Sequence, residues 1–563
     1  MAGVTGRNVA ELTQVRERGS KWKPEGSASS WRRAKRSCHE RTGSGSWLRR
    51  RLLLSGCMLG PDFKRPPTPV ASNWVESGDP ALDAKREYPS WWTVFNDPVL
   101  TRLVETAYQR NLTLRTAGVR VLEARAQLGV AIGELYPQEQ KAGASLSYNR
   151  LPISLPYNLS RNTYWSDIFS AQAEWELDVW GKMRRAVESA DDAFLASVVD
   201  YDDVLVSLTG DVASDYVRIR TAQKQIAIAR DNTERQRKAL KIARAKFEGG
   251  TDTKRDVYQA EEVLGATEAV IPQLAIQIAQ SKDALNVLLG LPPGRIDRLL
   301  DGPSDIPGAP ATAAVGIPAD LLRRRPDVRK AELQAAAQCA QIGFAKADLF
   351  PILSLTGNVG SLGSNTNRGL DSVFTNQSLY YMAGPELQWS FLNYGQITNN
   401  VRVQDTKFQE LLIGYQNAVL KAQQEVEDGI AMFLNSRKAV TYLNDSVEAA
   451  NGALRIAMIQ YREGTADFTT VLTAEQNLYQ AQNNLPDAAH RYSPGHVTGV
   501  ERKHFCVLWC AFPDNVTQHS LVRSRQRDVQ PHVAHFLGVV LTDSLLLFAD
   551  EIPLLVKLDQ VDV

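Results

Sequence analysis

One set of side chains in this 563-residue chain has the types that a zinc site needs: His504, Cys506, Cys510 and His519. Thiolates and imidazoles are the usual zinc ligands, but the spacing of these four matches none of the usual finger patterns. Elsewhere the chemistry is sparse. Between residues 58 and 489 there is no histidine, and Cys339 is the single cysteine. Of the seven histidines, all but His39 lie at 490–535. A long body without histidine, whose one thiol sits on a helical pattern, argues against zinc and thiol chemistry and against a hydrolase or metal enzyme. We expect no catalytic residues, no metal and no cofactor.

The formal net charge of +1 conceals an asymmetry. Residues 1–56 hold thirteen Lys/Arg against four Asp/Glu, so residues 57–563 carry a net −8. A nucleic-acid reading would rest on those first 56 residues, whose charges lie on no amphipathic helix or recognisable motif, so no nucleic-acid partner is expected. No run of 18 or more apolar residues exists, which excludes a transmembrane helix on hydropathy. If the chain meets a membrane core, strands must do it.

The elements that could do so come in duplicate. Glu134-Leu135-Tyr136-Pro137 returns as Asp348-Leu349-Phe350-Pro351, Trp175 as Trp389 and Gly181 as Gly395, always 214 residues later. Phe247-Glu248-Gly249-Gly250-Thr251 returns as Tyr461-Arg462-Glu463-Gly464-Thr465, followed by Val257 and Val471 and by the pairs Ala260-Glu261 and Ala474-Glu475. A period this long exceeds solenoid units of roughly 20–50 residues and marks a duplicated half-molecule over residues 60–489.

Within the first half, Ala117, Val121, Ala124, Leu128, Ala131 and Leu135 form one helical face, predicting a helix from Pro98 to Leu135 that stops at Pro137. Ala331 to Leu349 keep that phase before Pro351. The period then changes to two. Phe169, Ala171, Ala173, Trp175, Leu177 and Val179 alternate with Ser170, Gln172, Glu174, Glu176 and Asp178; Leu353, Leu355, Leu387, Trp389 and Phe391 do the same in the second half. Such segments fit membrane-barrel strands, and locally they fit a solvated antiparallel sheet as well. Gly181 and Gly395 are expected to end the strands. From Lys182 to Glu248 runs a 67-residue helical pattern, roughly 100 Å at about 1.5 Å per residue. A glycine turn returns the chain into a helix over Asp252 to Leu289, with its equivalent running from Ala466 to about Leu485 and stopping at Pro486. Four strands cannot close a barrel, since small barrels begin at about eight, and an open edge cannot sit in lipid. Three chains would pool twelve strands and twelve helical strings.

This topology resembles the outer-membrane efflux protein family, the TolC-like channel-tunnels in their NodT lipoprotein branch. The resemblance covers about residues 57–489. It is carried by Gly60-Pro61-Asp62-Phe63 just after a cysteine, by Trp91-Trp92 with Phe95 and Asp97-Pro98, by Arg323-Arg324-Arg325-Pro326-Asp327, and by the paired Tyr/Phe-Pro helix ends and Gly-Thr turns. It implies a mainly α protein with membrane β. In it, duplicated helix-strand-strand-long helix-helix halves build a homotrimeric 12-stranded barrel on an α-helical tunnel in the cell outer membrane and periplasm. It implies partners as well: a periplasmic adaptor, an inner-membrane pump and outer-membrane lipid. The function implied is the exit channel of a tripartite efflux system. The alternatives are a soluble coiled-coil scaffold and a type I protein-secretion exit duct.

Individual residues follow from the resemblance. Leu54-Ser55-Gly56-Cys57 reads as a lipobox, making Cys57 the lipidated residue. The turns Gly249-Gly250-Thr251 and Gly464-Thr465 fall at the family's adaptor-docking tips, although glycine is expected at helix-hairpin turns in any case. Tyr461 falls at the gate tyrosine. The basic gate partner of some members would fall at Ala466 and the aspartate rings at Thr470 and Thr473, so those charges are missing here.

The resemblance predicts a segment at 57–97, a first repeat at 98–290, a connector at 291–317 and a second repeat at 318–489. It fails at both ends. Residues 1–56 are a basic extension in which only Leu52-Leu53-Leu54 stand where a secretory signal needs about 7–15 apolar residues. Residues 490–563 form a histidine-bearing tail after the expected break at Pro486. A frame change in the coding sequence at each end accounts for both departures and makes export of the chain as written doubtful.

Overall fold

The computed structural model describes residues 58–83, 90–150, 163–302, 305–308, 312–314, 322–364 and 378–492. The chain divides into Met1–Ser55, outside the described residues, and Gly56–Val563. Cys57, the zinc-type cluster at 504–519 and the readings of both termini also lie outside them. In the first repeat α1 spans Pro98–Arg110, α2 Leu112–Gly133, β1 Glu139–Arg150, β2 Thr163–Glu176, α3 Lys182–Glu248 and α4 Lys254–Leu288. The second holds α5 Pro326–Ala347, β3 Ile352–Ser364, β4 Leu379–Gln388, α6 Gln396–Arg462 and α7 Phe468–Tyr492. Both α3 and α6 are 67 residues long. No helix among the described residues is long and apolar enough to cross a membrane.

Three expectations are corrected. The single helix expected from Pro98 is two, because Asn111 ends α1 and its side chain accepts the Leu114 amide at 2.7 Å, starting α2 with a cap of its own. Gly181 and Gly395 do not end strands. They sit at left-handed φ of +76° and +84° as the residues before α3 and α6, a conformation that glycine adopts cheaply. Finally, α7 does not stop at Pro486 but runs through it to Tyr492. Pro272 lies at the equivalent position, also inside a helix, α4. The cost of a proline in a helix interior is about 3 kcal/mol, and both repeats meet it at the same place. Pro486 is therefore part of the duplicated pattern and not a departure from it.

These four strands form one antiparallel sheet in the order β1-β2-β3-β4, apart from a short parallel pairing of Leu82–Asp83 with Ala313–Ala314, with the repeats joined by the β2–β3 pairing that sets Trp175 opposite Leu355. Tyr148, Leu146, Phe169, Val359, Leu355, Tyr381 and Leu387 share one face and are exposed. The other face carries Ser145, Ser147, Gln172, Glu174, Asn358, Thr356 and Glu386, interrupted by Ile168, Leu362 and Met382. At the helix end of the sheet, Trp175 donates its indole N–H to the Leu135 carbonyl at 3.2 Å, and Trp389 repeats that bond to Leu349 at 3.2 Å. The duplicated tryptophans thus tie strand to helix in both halves.

The helices pack as α2 on α3, α3 on α5 and α5 on α6, with α4 against α3 and α7 against α6 and α3. The main core gathers Trp91, Phe95, Leu100, Leu103, Val212, Ile219, Leu285 and Phe433. Asp97 starts α1 by accepting the Val99 and Leu100 amides at 2.8 and 3.0 Å, and its other oxygen takes the Tyr216 hydroxyl at 2.7 Å. Burial pushes that phenol up to about 12, so it stays a donor. Along α3 and α5 lies the segment that follows Cys57. Leu59 donates to the Trp180 carbonyl at 3.1 Å, and buried Arg185 bonds the Leu59 carbonyl at 3.0 Å and Asp62 at 2.8 Å. Gly60 and Gly343 allow the close approach: a Cβ on Gly60 would lie 2.4 Å from the Gly343 Cα.

Candidate functional site: the paired helical turns

The ends of α3 and α6 remote from the sheet carry the turns that the sequence singled out. In the first, the Thr251 amide and hydroxyl both donate to the Lys246 carbonyl, at 2.9 and 3.0 Å, while Gly250 takes φ +72°. In the second, Thr465 does the same to Gln460 at 2.9 and 3.1 Å, with Gly464 also at φ +72°. These are helix caps in which a left-handed glycine lets a later N–H reach back to the last turn. Gly249 stays right-handed and donates to Ala245 at 3.0 Å. Both left-handed glycines face open space, so their type is demanded by backbone angle and not by crowding.

Between the turns the repeats differ. Phe247 is exposed, whereas its equivalent Tyr461 is fully buried. The Tyr461 hydroxyl donates to the Asp252 carboxylate, its ring meets Phe468 with centroids 5.2 Å apart, and its carbonyl accepts from the Lys246 ammonium at 2.6 Å. Burial, together with the carboxylate, raises the phenol well above its ordinary value. Asp252 is available because α4 begins at Lys254, two residues later than the sequence suggests, where a Thr253/Asp256 capping box starts it. Neither Lys246 nor Asp252 was singled out from sequence. The signal was present at Asp252, whose repeat-equivalent is Ala466, the position already noted as lacking a charge.

Thr470 and Thr473, at the expected aspartate-ring positions, line a groove of about 810 Å³ between α6 and α7 with Ala449, Ala453, Gln460 and Asn477. Farther along α7, Glu475 is buried, on the helix that contributes Val471, Leu472 and Leu478 to a hydrophobic cluster with Leu240, Ala243, Val257 and Leu454. Desolvation raises its carboxyl to about 7 against a weaker opposing pull from Arg235. Its equivalent, Glu261, is half-buried and pairs with Arg244 at 2.6 Å. Cys339, the one cysteine among the described residues, is buried against the segment after Cys57 and pushed up to about 11 by desolvation, so it stays protonated.

Residues 103–291 and 317–493 match the family model described as outer membrane efflux protein. Nodulation protein T of Rhizobium leguminosarum bv. trifolii is 31% identical over 444 residues, covering 78% of this chain and 93% of that protein. The solvent efflux pump outer membrane protein SrpC of Pseudomonas putida is 30% identical over 455 residues, covering 77% of this chain and 92% of that protein. Among solved structures, the outer-membrane channel OprN superposes with a TM-score of 0.74 at 29% identity, covering 80% of this chain and 99% of that one. CusC shares the fold with a TM-score of 0.68 at 24% identity.

Glu475 makes the packing of α7 dependent on pH. Its carboxyl holds a proton more tightly folded than unfolded, so the stability it lends is complete below about pH 4.5 and is lost as pH rises through about 7. The full span is on the order of 3 kcal/mol. Hydrogen exchange in α7 should accelerate over that window, and Glu475→Gln should flatten the dependence. An unchanged slope in the variant would remove Glu475 as its source.

Proposed function

The chain belongs to the outer membrane efflux protein family, and we propose that three copies close head to tail into an exit channel fed by a periplasmic adaptor and an inner-membrane pump. Its role as an outer-membrane efflux channel follows from that membership. The trimer, the partners and the residues below are inferred from the geometry. The channel supplies a water-filled path and performs no bond chemistry.

One observation carries the trimer. Inside the chain, α3 packs on α5, and the equivalent face of α6 has no partner among the described residues. Ser189, Val199 and Val206 on α3 are 7%, 6% and 6% exposed, while their equivalents Val403, Ile413 and Leu420 on α6 are 49%, 67% and 51% exposed. The cover that fits is a helix equivalent to α5, which is α2 of a second copy, where Val119, Leu122 and Val130 are exposed. The sheet asks for the same operation. The β2–β3 pairing joins the repeats within a chain, and repeating it sets β4 beside β1 of the next copy. A heterologous contact of this kind makes a ring when its rotation closes, and twelve strands leave no edge in lipid.

The tip turns serve adaptor docking in this reading: Gly249, Gly250 and Thr251 in one, Gly464 and Thr465 in the other. Tyr461 forms the gate, held by Asp252 where some family members use a base at the Ala466 position. Cys57 carries the lipid. Support for the anchor comes from Leu59, two residues on, which is bonded to Trp180 at the boundary of sheet and helix.

Ile413→Asp combined with Leu420→Asp should abolish the trimer, which in the unmodified protein should saturate chemical crosslinking at three in membranes. A doubly substituted protein that still crosslinks to three would refute the α6–α2 contact. Replacing Gly250 or Gly464 with isoleucine forces a β-branched residue to positive φ, at about 1–2 kcal/mol. Drug export should fall while trimers persist, and unchanged export in both variants would take the turns out of the docking site. With a lipoprotein signal placed before Cys57, labelled fatty acid should enter the protein and Cys57→Ser should block it. Label retained by the serine variant would exclude Cys57.

A further inference from the structure

We infer that Lys246 is the counter-charge of the closed tip: its ammonium clamps Tyr461 in place beside Asp252, so that the two turns of one protomer open only when Lys246 releases. This deepens the gate reading above and rests on it. Three contacts define the clamp. The Lys246 ammonium lies 2.6 Å from the Tyr461 carbonyl and 3.9 Å from the centre of the Tyr461 ring, and the Tyr461 hydroxyl reaches Asp252. The carbonyl belongs to the last turn of α6, where unsatisfied backbone oxygens form the negative end of the helix dipole and favour a cation. The ring face adds a second attraction to the same charge.

Lys246 also terminates its own helix, because its carbonyl accepts both donors of Thr251. One residue therefore caps α3 with its backbone and α6 with its side chain. The repeat tests the meaning of this. Gln460, the equivalent of Lys246, performs the backbone task alone, bonding Thr465 while its side chain lines the α6–α7 groove. Ala466, the equivalent of Asp252, has no charge to offer. The aromatic member reverses the bias: Tyr461 is buried and Phe247 exposed. Both charges thus come from the first turn and the clamped ring from the second. The backbone caps need neither Lys246 nor Asp252 side chain, since the second turn forms without their equivalents. That leaves the side chains to hold one turn to the other.

The test compares the full chain in detergent with Lys246→Met, Lys246→Arg and Asp252→Asn. Hydrogen exchange at 249–253 and 461–466 should be about tenfold faster in the methionine variant, and near the unmodified rate in the arginine variant. Asp252→Asn should speed the same amides, with the double variant less than additive because both act on Tyr461. Resting conductance in planar bilayers should rise in Lys246→Met. Exchange unchanged in Lys246→Met would overturn the inference, as would arginine failing to restore it. Faster exchange with unchanged conductance would keep the clamp and overturn the gate role of Tyr461. Silence in bilayers of the unmodified chain and of every variant, including those with faster exchange, would overturn the channel reading, and exchange would still decide on Lys246.

Discussion

A strand that enters lipid must have every backbone N–H and C=O paired, because hydrocarbon offers no alternative partner. This chain brings four strands in one sheet, with the outer edges of β1 and β4 unpaired among the described residues. That constraint reaches through the molecule. It makes a single copy incomplete, and it explains why the pairing between repeats, β2 on β3, uses a geometry that a second copy can repeat. It also requires one sheet face to be apolar. The face bearing Tyr148, Phe169, Val359 and Tyr381 meets that need, and Asp167 is accommodated on it because Gly363 leaves room for the carboxylate.

Duplication and closure together divide the chain into positions where the repeats agree and positions where they do not. Agreement falls where both halves face the same task. Trp175 and Trp389 tie strand to helix, Gly181 and Gly395 turn the chain into the long helices, Pro272 and Pro486 lie inside equivalent helices, and Gly250 and Gly464 shape the caps. Disagreement falls where one half meets the other half of its own chain and the second meets a neighbour or a passage. Val199 and Ile413 differ in cover but not in character. Glu261 is half-buried and finds an arginine, while Glu475 is buried. Phe247 is exposed and Tyr461 is not, and only Tyr461 has a carboxylate and an ammonium on it.

Polar side chains buried between the long helices fix how the repeats sit together. Arg325 bonds both Asp327 and Glu425, starting α5 and fastening it to α6, and those carboxylates keep its guanidinium charged against desolvation. Arg185 does the equivalent work for the segment after Cys57. Breaking one partner of such a buried group leaves the other uncompensated, which makes these contacts determinants of register more than of net stability.

The residue pattern alone determined the duplication, the element order, the long helix of each half, the turns and the family, because each depends on local periodicity or on self-similarity at a fixed offset. It located Gly250, Gly464 and Tyr461 for the same reason. It misjudged Pro486, since a proline reads as a helix end unless its equivalent Pro272 is consulted and surrounding packing holds the helix through it. It merged α1 with α2, because a side-chain cap at Asn111 leaves no break in the hydrophobic period. What only the tertiary structure decided was contact across long separations: Lys246 and Asp252 on Tyr461 some 210 residues away, Leu59 on Trp180, and the burial of Glu475 where its equivalent Glu261 is only half-buried. Periodicity tells which face of an element is buried; which distant side chain lies against it depends on how the helices and strands of both repeats pack, and no local pattern records that.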